Sequence, residues 1–254
     1  MAKTLYFDCF SGVSGDMVVG GLLDLGLPLD DLRAALGTLP VEHAVSASRV
    51  LRAGVSATKF TVTGPHSSHP HDHTHLSHPH DHPLHSAHPH DHPAHSSHPH
   101  DHPPHHSLKE IASFIERSAL SLEGKGRAIH MFERLAEAEA AIHAMPVENV
   151  HLHEVGALDS IIDIVGSVYG LDQLGTEAIA SSPLNVGGGT VRCSHGVFPV
   201  PAPATARLLQ GVPIYSGDVQ MELVTPTGAL IVTEYAKAYG PLPAMTIDRA
   251  CHRK

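Results

Sequence analysis

The 41 residues from His66 to His106 cannot contribute to a packed core, and this constrains the fold more than any other feature. They hold 18 of the 25 histidines and almost no large apolar side chain. The pentapeptide HPHDH recurs at 69–73, 78–82, 88–92 and 98–102. A period of nine or ten residues would ordinarily suggest stacked repeats. Here each unit lacks an apolar face and proline recurs through it, so a packed repeat is not expected. The expectation is an α/β (or α+β) globular domain built from residues 1–65 and 107–254, carrying residues 66–106 as a low-complexity, disordered insertion. The remaining stretch of roughly 210 residues can bury a sizeable core. With no tryptophan and 4% aromatic residues, that core must be aliphatic.

Periodicity places elements on either side of the insertion. Residues 3–9 read as a buried strand, with Leu5, Phe7 and Cys9 on one face. The tight loop SGVSGD follows, then helices over about 17–25 and 30–39 and alternating strands at 45–50 and 59–63. Beyond the insertion, helices are expected at about 108–117 and 123–143, the second burying Ile129, Phe132, Ala136 and Ile142. A turn at 146–149, a short strand at 150–154 and a helix over 159–174 ended by Gly175 come next. Two Gly/Pro-rich passages lead to helices from about Ala202 and over 227–239.

The charge of −10, with histidine counted neutral, argues against a nucleic-acid surface and suits attraction of cations. No apolar run is long enough to span a membrane, and the first residues do not resemble a signal peptide. Cys9, Cys193 and Cys251 are sparse, odd in number and without CxxC spacing, which points to a reducing compartment; a cytoplasmic location is expected.

Three clusters can carry chemistry. Imidazole suits nickel, copper and zinc better than magnesium or calcium. His69, His71, His73, His78, His80, His82, His88, His90, His92, His98, His100 and His102 therefore form a transition-metal tract suited to storage or delivery, or else a polar, pH-sensitive linker. In HLHEVGALDSIID, His151 and His153 fall on one face of a strand and can chelate one ion. Glu154, Asp159 and Asp163 add carboxylates, although Asp159 can equally serve as a helix cap. In DCFSGVSGDM, a strand, a Gly-rich loop and a helix start make a cradle of backbone N–H groups around Ser11, Gly12, Ser14 and Gly15. Asp8 and Asp16 there can hold a hydrated cation. The loop has no GK[ST], so it is not a Walker A loop, and a tight structural turn explains it equally well. Gly187–Gly189 allow close backbone approach. Glu222, Thr225 and Thr227 precede a helix, the threonines as caps or as phosphate ligands.

Taken together, DCFSGVSGDM, the histidine-rich insertion, FERLAEAEAAIH, HLHEVGALDSIIDIVG, SSPLNVGGGTV, HGVFPVPAPAT and ELVTPTGA resemble the nickel-insertion proteins of lactate-racemase cofactor biosynthesis. The resemblance covers nearly all of the chain outside residues 40–65. It implies CTP-dependent insertion of Ni²⁺ into pyridinium-bisthiocarboxylic acid mononucleotide, assisted by Mn²⁺ or Mg²⁺ at the nucleotide, to form a nickel–carbon bond flanked by two nickel–sulfur bonds. The product serves a lactate racemase-type apoenzyme. His151, His153 and Glu154 become the nickel ligands, Glu154 and Asp159 the catalytic carboxylates, and the tract a nickel reservoir. Members of that family continue into a C-terminal nucleotide-binding domain, so this chain resembles the first piece, to be joined by a downstream piece of the same protein. A nickel or zinc storage protein without catalysis, and a metal-dependent phosphohydrolase, are the readings from other classes.

Overall fold

The first apolar run folds as strand β1 (Thr4–Phe7), whose Leu5 and Phe7 pack on the core. A computed structural model describes residues 3–52, 54–64, 106–150, 152, 158–193 and 196–251. Helix α1 (Gly15–Asp24) ends at Gly26, where φ is +106°, a conformation that glycine adopts without penalty. Helix α2 (Leu29–Leu36) starts after Pro28 and buries Leu32, Ala35 and Leu36. Strands β2 (Ala44–Arg52) and β3 (Val55–Thr63) form an antiparallel hairpin in register from Ala44↔Thr63 to Arg52↔Val55. The hairpin lies on α1 and is tied there by Asp24. That carboxylate accepts from the Thr58 N–H (3.1 Å) and hydroxyl (2.5 Å) and pairs with Arg49 (2.8 Å).

Helix α3 (Leu108–Glu116) opens with a capping box in which Ser107 and Glu110 satisfy each other's backbone N–H groups. Helix α4 (Leu122–His143) buries Ala128, Met131, Phe132, Leu135 and Ala136. Ile129 is only half-buried, and Ile142, expected on the buried stripe, is exposed near the helix end. The buried face passes through Met131 and Leu135 instead.

A 3₁₀ turn (Val147–Asn149) leads to α5 (Leu158–Leu174), ended by Gly175 at φ +57°. Eleven of the 17 residues of α5 are buried, which makes it the central helix. It packs against α1, α2 and α4, and against the helix Pro226–Tyr235 of the C-terminal part.

That part adds β4 (Ala178–Ser181), β5 (Leu184–Asn185), β6 (Thr190–Cys193), β7 (Gly196–Pro199), α6 (Pro203–Leu208), β8 (Ile214–Tyr215), α7 (Pro226–Tyr235) and β9 (Ala238–Tyr239). Strand β4 runs parallel to β1, from Thr4↔Ala178 to Phe7↔Ser181, and β9 runs parallel to β4 on its other side. The expected helix over 227–239 is therefore a helix to Tyr235 and then a short strand. Strands β5 and β8 pair in parallel, and β6 and β7 form a hairpin. The class is α/β: a small parallel sheet, helices packed round α5, and accessory two-stranded pairs. No helix among the described residues is long and apolar enough to cross a membrane.

Candidate functional site

Strands β1 and β4 end side by side at Phe7 and Ser181, so the chain segments after both leave from one edge of the sheet. The carboxyl edge of an open parallel sheet is where such folds bind ligands. Three segments far apart in sequence are stitched together here. The Cys9 N–H donates to Ser182 Oγ (2.9 Å), and the Asn185 N–H donates to the Cys9 carbonyl (3.2 Å). Asn185 Nδ2 donates to the Phe10 carbonyl (2.8 Å), while its Oδ1 accepts from the Gly187 and Gly217 N–H groups (3.1 Å each). The third segment joins through Val13 N–H to the Leu223 carbonyl (2.9 Å) and Thr225 N–H to the Val13 carbonyl (3.1 Å). Leu223 N–H donates in turn to the Val186 carbonyl (3.1 Å).

Glycines permit this stacking. A Cβ at Gly12 (φ +80°) would overlap the Leu223 carbonyl, one at Gly187 (φ +84°) the Met221 carbonyl, and one at Gly228 the Val13 carbonyl. The close approach allowed at Gly187 is thus used by the chain itself. At Gly15, the first residue of α1, an added Cβ would meet Asp163 Oδ2 at 2.5 Å. Asp163 is 7% exposed and belongs to α5. Its carboxylate sits against the helix end that carries partial positive charge. The helix opened by the HLHEVGALD motif is thereby packed on the helix opened by the Gly-rich loop. The N-terminus of α7 reaches the same place, since Gly228 lies against Val13 and Ser14.

The expected site residues that fall among the described residues can now be placed. Asp8 is exposed at the end of β1; Ser11, Ser14 and Asp16 are half-buried, and the Ser14 hydroxyl donates to the Asp16 carboxylate. Thr225 caps α7 by accepting from the Gly228 N–H (3.2 Å), and its hydroxyl lies 3.0 Å from that of Thr227. Asp159 is exposed in the first turn of α5. His151, His153, Glu154 and the tract histidines lie outside the described residues. Within the short strand expected at 150–154, the described residues Val150 and Leu152 are buried at 6% and 1% exposure, and neither belongs to a strand.

Among the described residues, no three His, Cys, Asp or Glu side chains are grouped to hold a metal ion. Burial pushes the Cys9 thiol up to about 11, with a partial offset from its contact to the Ser181 hydroxyl. A thiol kept protonated is a poor metal ligand. Gly64, the last described residue before the tract, would with a Cβ lie 2.6 Å from Leu158 Cδ2. The chain therefore enters the tract beside the first residue of α5.

Sequence reasoning missed Asn185, the residue that joins the loops. It lies in a Gly/Pro-rich passage without periodicity, and its partners are up to 175 residues away.

The profile of a family described as "Nickel insertion protein" matches residues 5–252. A pyridinium-3,5-bisthiocarboxylic acid mononucleotide nickel insertion protein of Geobacillus kaustophilus is 45% identical, covering 97% of this chain and 54% of the relative. A protein of the same name from Desulfitobacterium hafniense is 42% identical, covering 97% of this chain and 53% of the relative. The chain spans about half the length of these curated relatives. No solved structure matches it significantly. With the profile match spanning almost every residue, the chain belongs to the nickel insertion protein family.

Proposed function

We propose that this chain is the metal-handling part of an enzyme that inserts Ni²⁺ into pyridinium-bisthiocarboxylic acid mononucleotide. One observation carries the reading: Asp163 of α5 rests on Gly15 of α1, which joins the helix after the metal-ligand motif to the helix after the Gly-rich loop. An ion held by His151, His153 and Glu154 and a mononucleotide phosphate held at Ser11, Gly12, Ser14 and Gly15 would then be neighbours. Thr225 and Thr227, on the third stitched segment, complete the phosphate side. Asp8 and Asp16 suit a divalent ion that accompanies the phosphate.

Nickel is the substrate here. It replaces the ring proton at the carbon between the two thiocarboxylates, forms one Ni–C and two Ni–S bonds, and stays Ni²⁺ throughout. The proton leaves to a carboxylate, for which Glu154 and Asp159 are the candidates. Holding ion and ring in fixed register removes most of the entropic cost of the step. The tract histidines supply nickel from a root beside α5. CTP with Mn²⁺ or Mg²⁺, a downstream piece of the same protein, a lactate racemase-type apoenzyme and a cytoplasmic setting belong to the same proposal. So does the domain division, with residues 66–106 as an insertion in one α/β domain.

The test is reconstitution. The chain is mixed with the C-terminal half of a longer relative, Ni²⁺, CTP, Mn²⁺ and the mononucleotide, and the product is read by mass spectrometry through its nickel isotope pattern. Product that requires all components supports the proposal. Nickel binding without product leaves a storage protein.

A further inference from the structure

Phe10 is the only exposed one of the six phenylalanines, all of which lie in the described residues. At 54% exposure it stands on the turn that begins the Gly-rich loop. This turn is not a loose tip. Gly12 N–H closes it on the Cys9 carbonyl (3.0 Å), Cys9 is tied to Ser182 and Asn185, and the carbonyl of Phe10 itself is held by Asn185 Nδ2. Asn185 is 7% exposed, so a buried amide fixes the backbone that presents an exposed ring. The other side of the same amide holds Gly217, and the strand partner of Asn185 is Tyr215, a second exposed aromatic at 43%. In a protein without tryptophan and with 4% aromatic residues, two exposed rings are anchored about one buried asparagine at the carboxyl edge of the sheet.

We propose that Phe10 is the platform on which the positively charged pyridinium ring of the mononucleotide stacks. This deepens the preceding reading and rests on it. The face of a phenyl ring carries negative quadrupolar potential and attracts a flat cation laid over it. Pyridinium presents such a cation, and while no divalent ion is bound Asp8 and Asp16 on the flanks of the loop add negative charge in the same neighbourhood. Ser11, Gly12, Ser14 and Gly15 follow Phe10 directly, so ring and phosphate of one mononucleotide would be read by one loop. Phe10 thus selects an aromatic cation over an uncharged ring of the same shape.

The experiment needs no nickel, so its outcome is separable from that of nickel insertion. Nicotinamide mononucleotide is the probe, because its ring carries the same permanent charge. Its reduced form keeps ribose and phosphate but has an uncharged ring. Calorimetric titration of the wild-type chain is expected to show saturable binding of the oxidised probe and weaker binding of the reduced one. Phe10→Leu should weaken binding of the oxidised probe by roughly 3- to 30-fold and abolish the preference between the two. Phe10→Trp should keep the preference, and as the only tryptophan its fluorescence should be quenched saturably by the oxidised probe. Circular dichroism checks that both variants fold. Three results would each overturn the proposal: no saturable binding by the wild-type chain, equal binding of the two redox forms, or wild-type affinity in folded Phe10→Leu.

Discussion

Gly15 and Gly126 are both helical glycines, yet they face opposite surroundings. Gly15 has Asp163 where its side chain would go, whereas nothing lies within 4 Å of a Cβ at Gly126 on the exposed side of α4. Gly15→Ala should therefore cost about 1–3 kcal/mol through overpacking. Gly126→Ala should add roughly 0.5–1 kcal/mol by restricting the unfolded chain and improving helix propensity. Urea unfolding of both variants checks the pair; equal effects would contradict the packing described at the α1 N-terminus. Tyr235 offers a pH-dependent test. Its buried hydroxyl has no hydrogen-bond partner among the described residues, and the Arg127 guanidinium lies over its ring at 5.2 Å. Burial holds this phenol protonated well above the ordinary tyrosine range; the Asp172 charge adds to the effect and Arg127 opposes it. The folded state thus keeps the proton to higher pH than the unfolded chain. Its contribution is present below about pH 10 and is lost as pH rises beyond it. Tyr235→Phe should match the wild type near pH 7 to within about 1 kcal/mol, since no hydrogen bond is broken. It should lose less stability between about pH 8 and pH 10.5, measured by denaturant titration. An unchanged pH dependence would contradict the burial of this hydroxyl.

At the scale of elements, long periodic segments were legible and short ones were not. α4 and α5 announce themselves by apolar spacing and by Gly175, whereas the Ser107–Glu110 capping box that opens α3 is visible only in the structure. β9 has two residues and exists because Lys237 N–H and Gly240 N–H find the carbonyls of Ile179 and Ser181 on β4. Such long-range pairing leaves no periodic trace. The candidate site was legible only as motifs: Ser11, Ser14 and Thr225 could be named, but not the stitching of their loops through Asn185 and Val13. Of the two carboxylates a turn apart on α5, only the structure shows that Asp163 is buried on Gly15 while Asp159 is exposed. The tract permits a prediction of its own. β3 stops at Thr63 and α3 begins with its own cap, so both flanking elements are terminated locally. Deleting residues 67–105 should leave the melting temperature within a few degrees and remove several nickel ions per chain. In the intact chain, nickel retention should fall between about pH 7 and pH 5, because protonation removes the imidazole lone pair. Cooperative unfolding lost on deletion, or a capacity constant down to about pH 5, would contradict the tract's reading as a metal-binding insertion.

For the whole molecule, the sheet order β1-β4-β9 with all strands parallel puts the ends of β1 and β4 at one edge, and the three motif loops are drawn from residues 9–15, 185–189 and 221–228 at that edge. Helix α5, which follows the proposed metal motif in sequence, reaches the Gly-rich loop through Asp163 against Gly15. The proposed function divides the labour between a donor tract over residues 66–106 and a reaction centre at His151, His153 and Glu154, just ahead of α5 in sequence. Bond formation between metal and carbon demands the second, since positioning within a fraction of an ångström needs a rigid set of ligands. The most direct measurement is cofactor yield across a nickel titration for two variants of the reassembled protein. One lacks residues 67–105; the other carries His151→Ala and His153→Ala with the tract intact. Excess nickel should restore the tract deletion to wild-type yield and should not restore the double variant, with circular dichroism showing both folded. A folded double variant that inserts nickel at the wild-type level would contradict the placement of the reaction centre at these histidines.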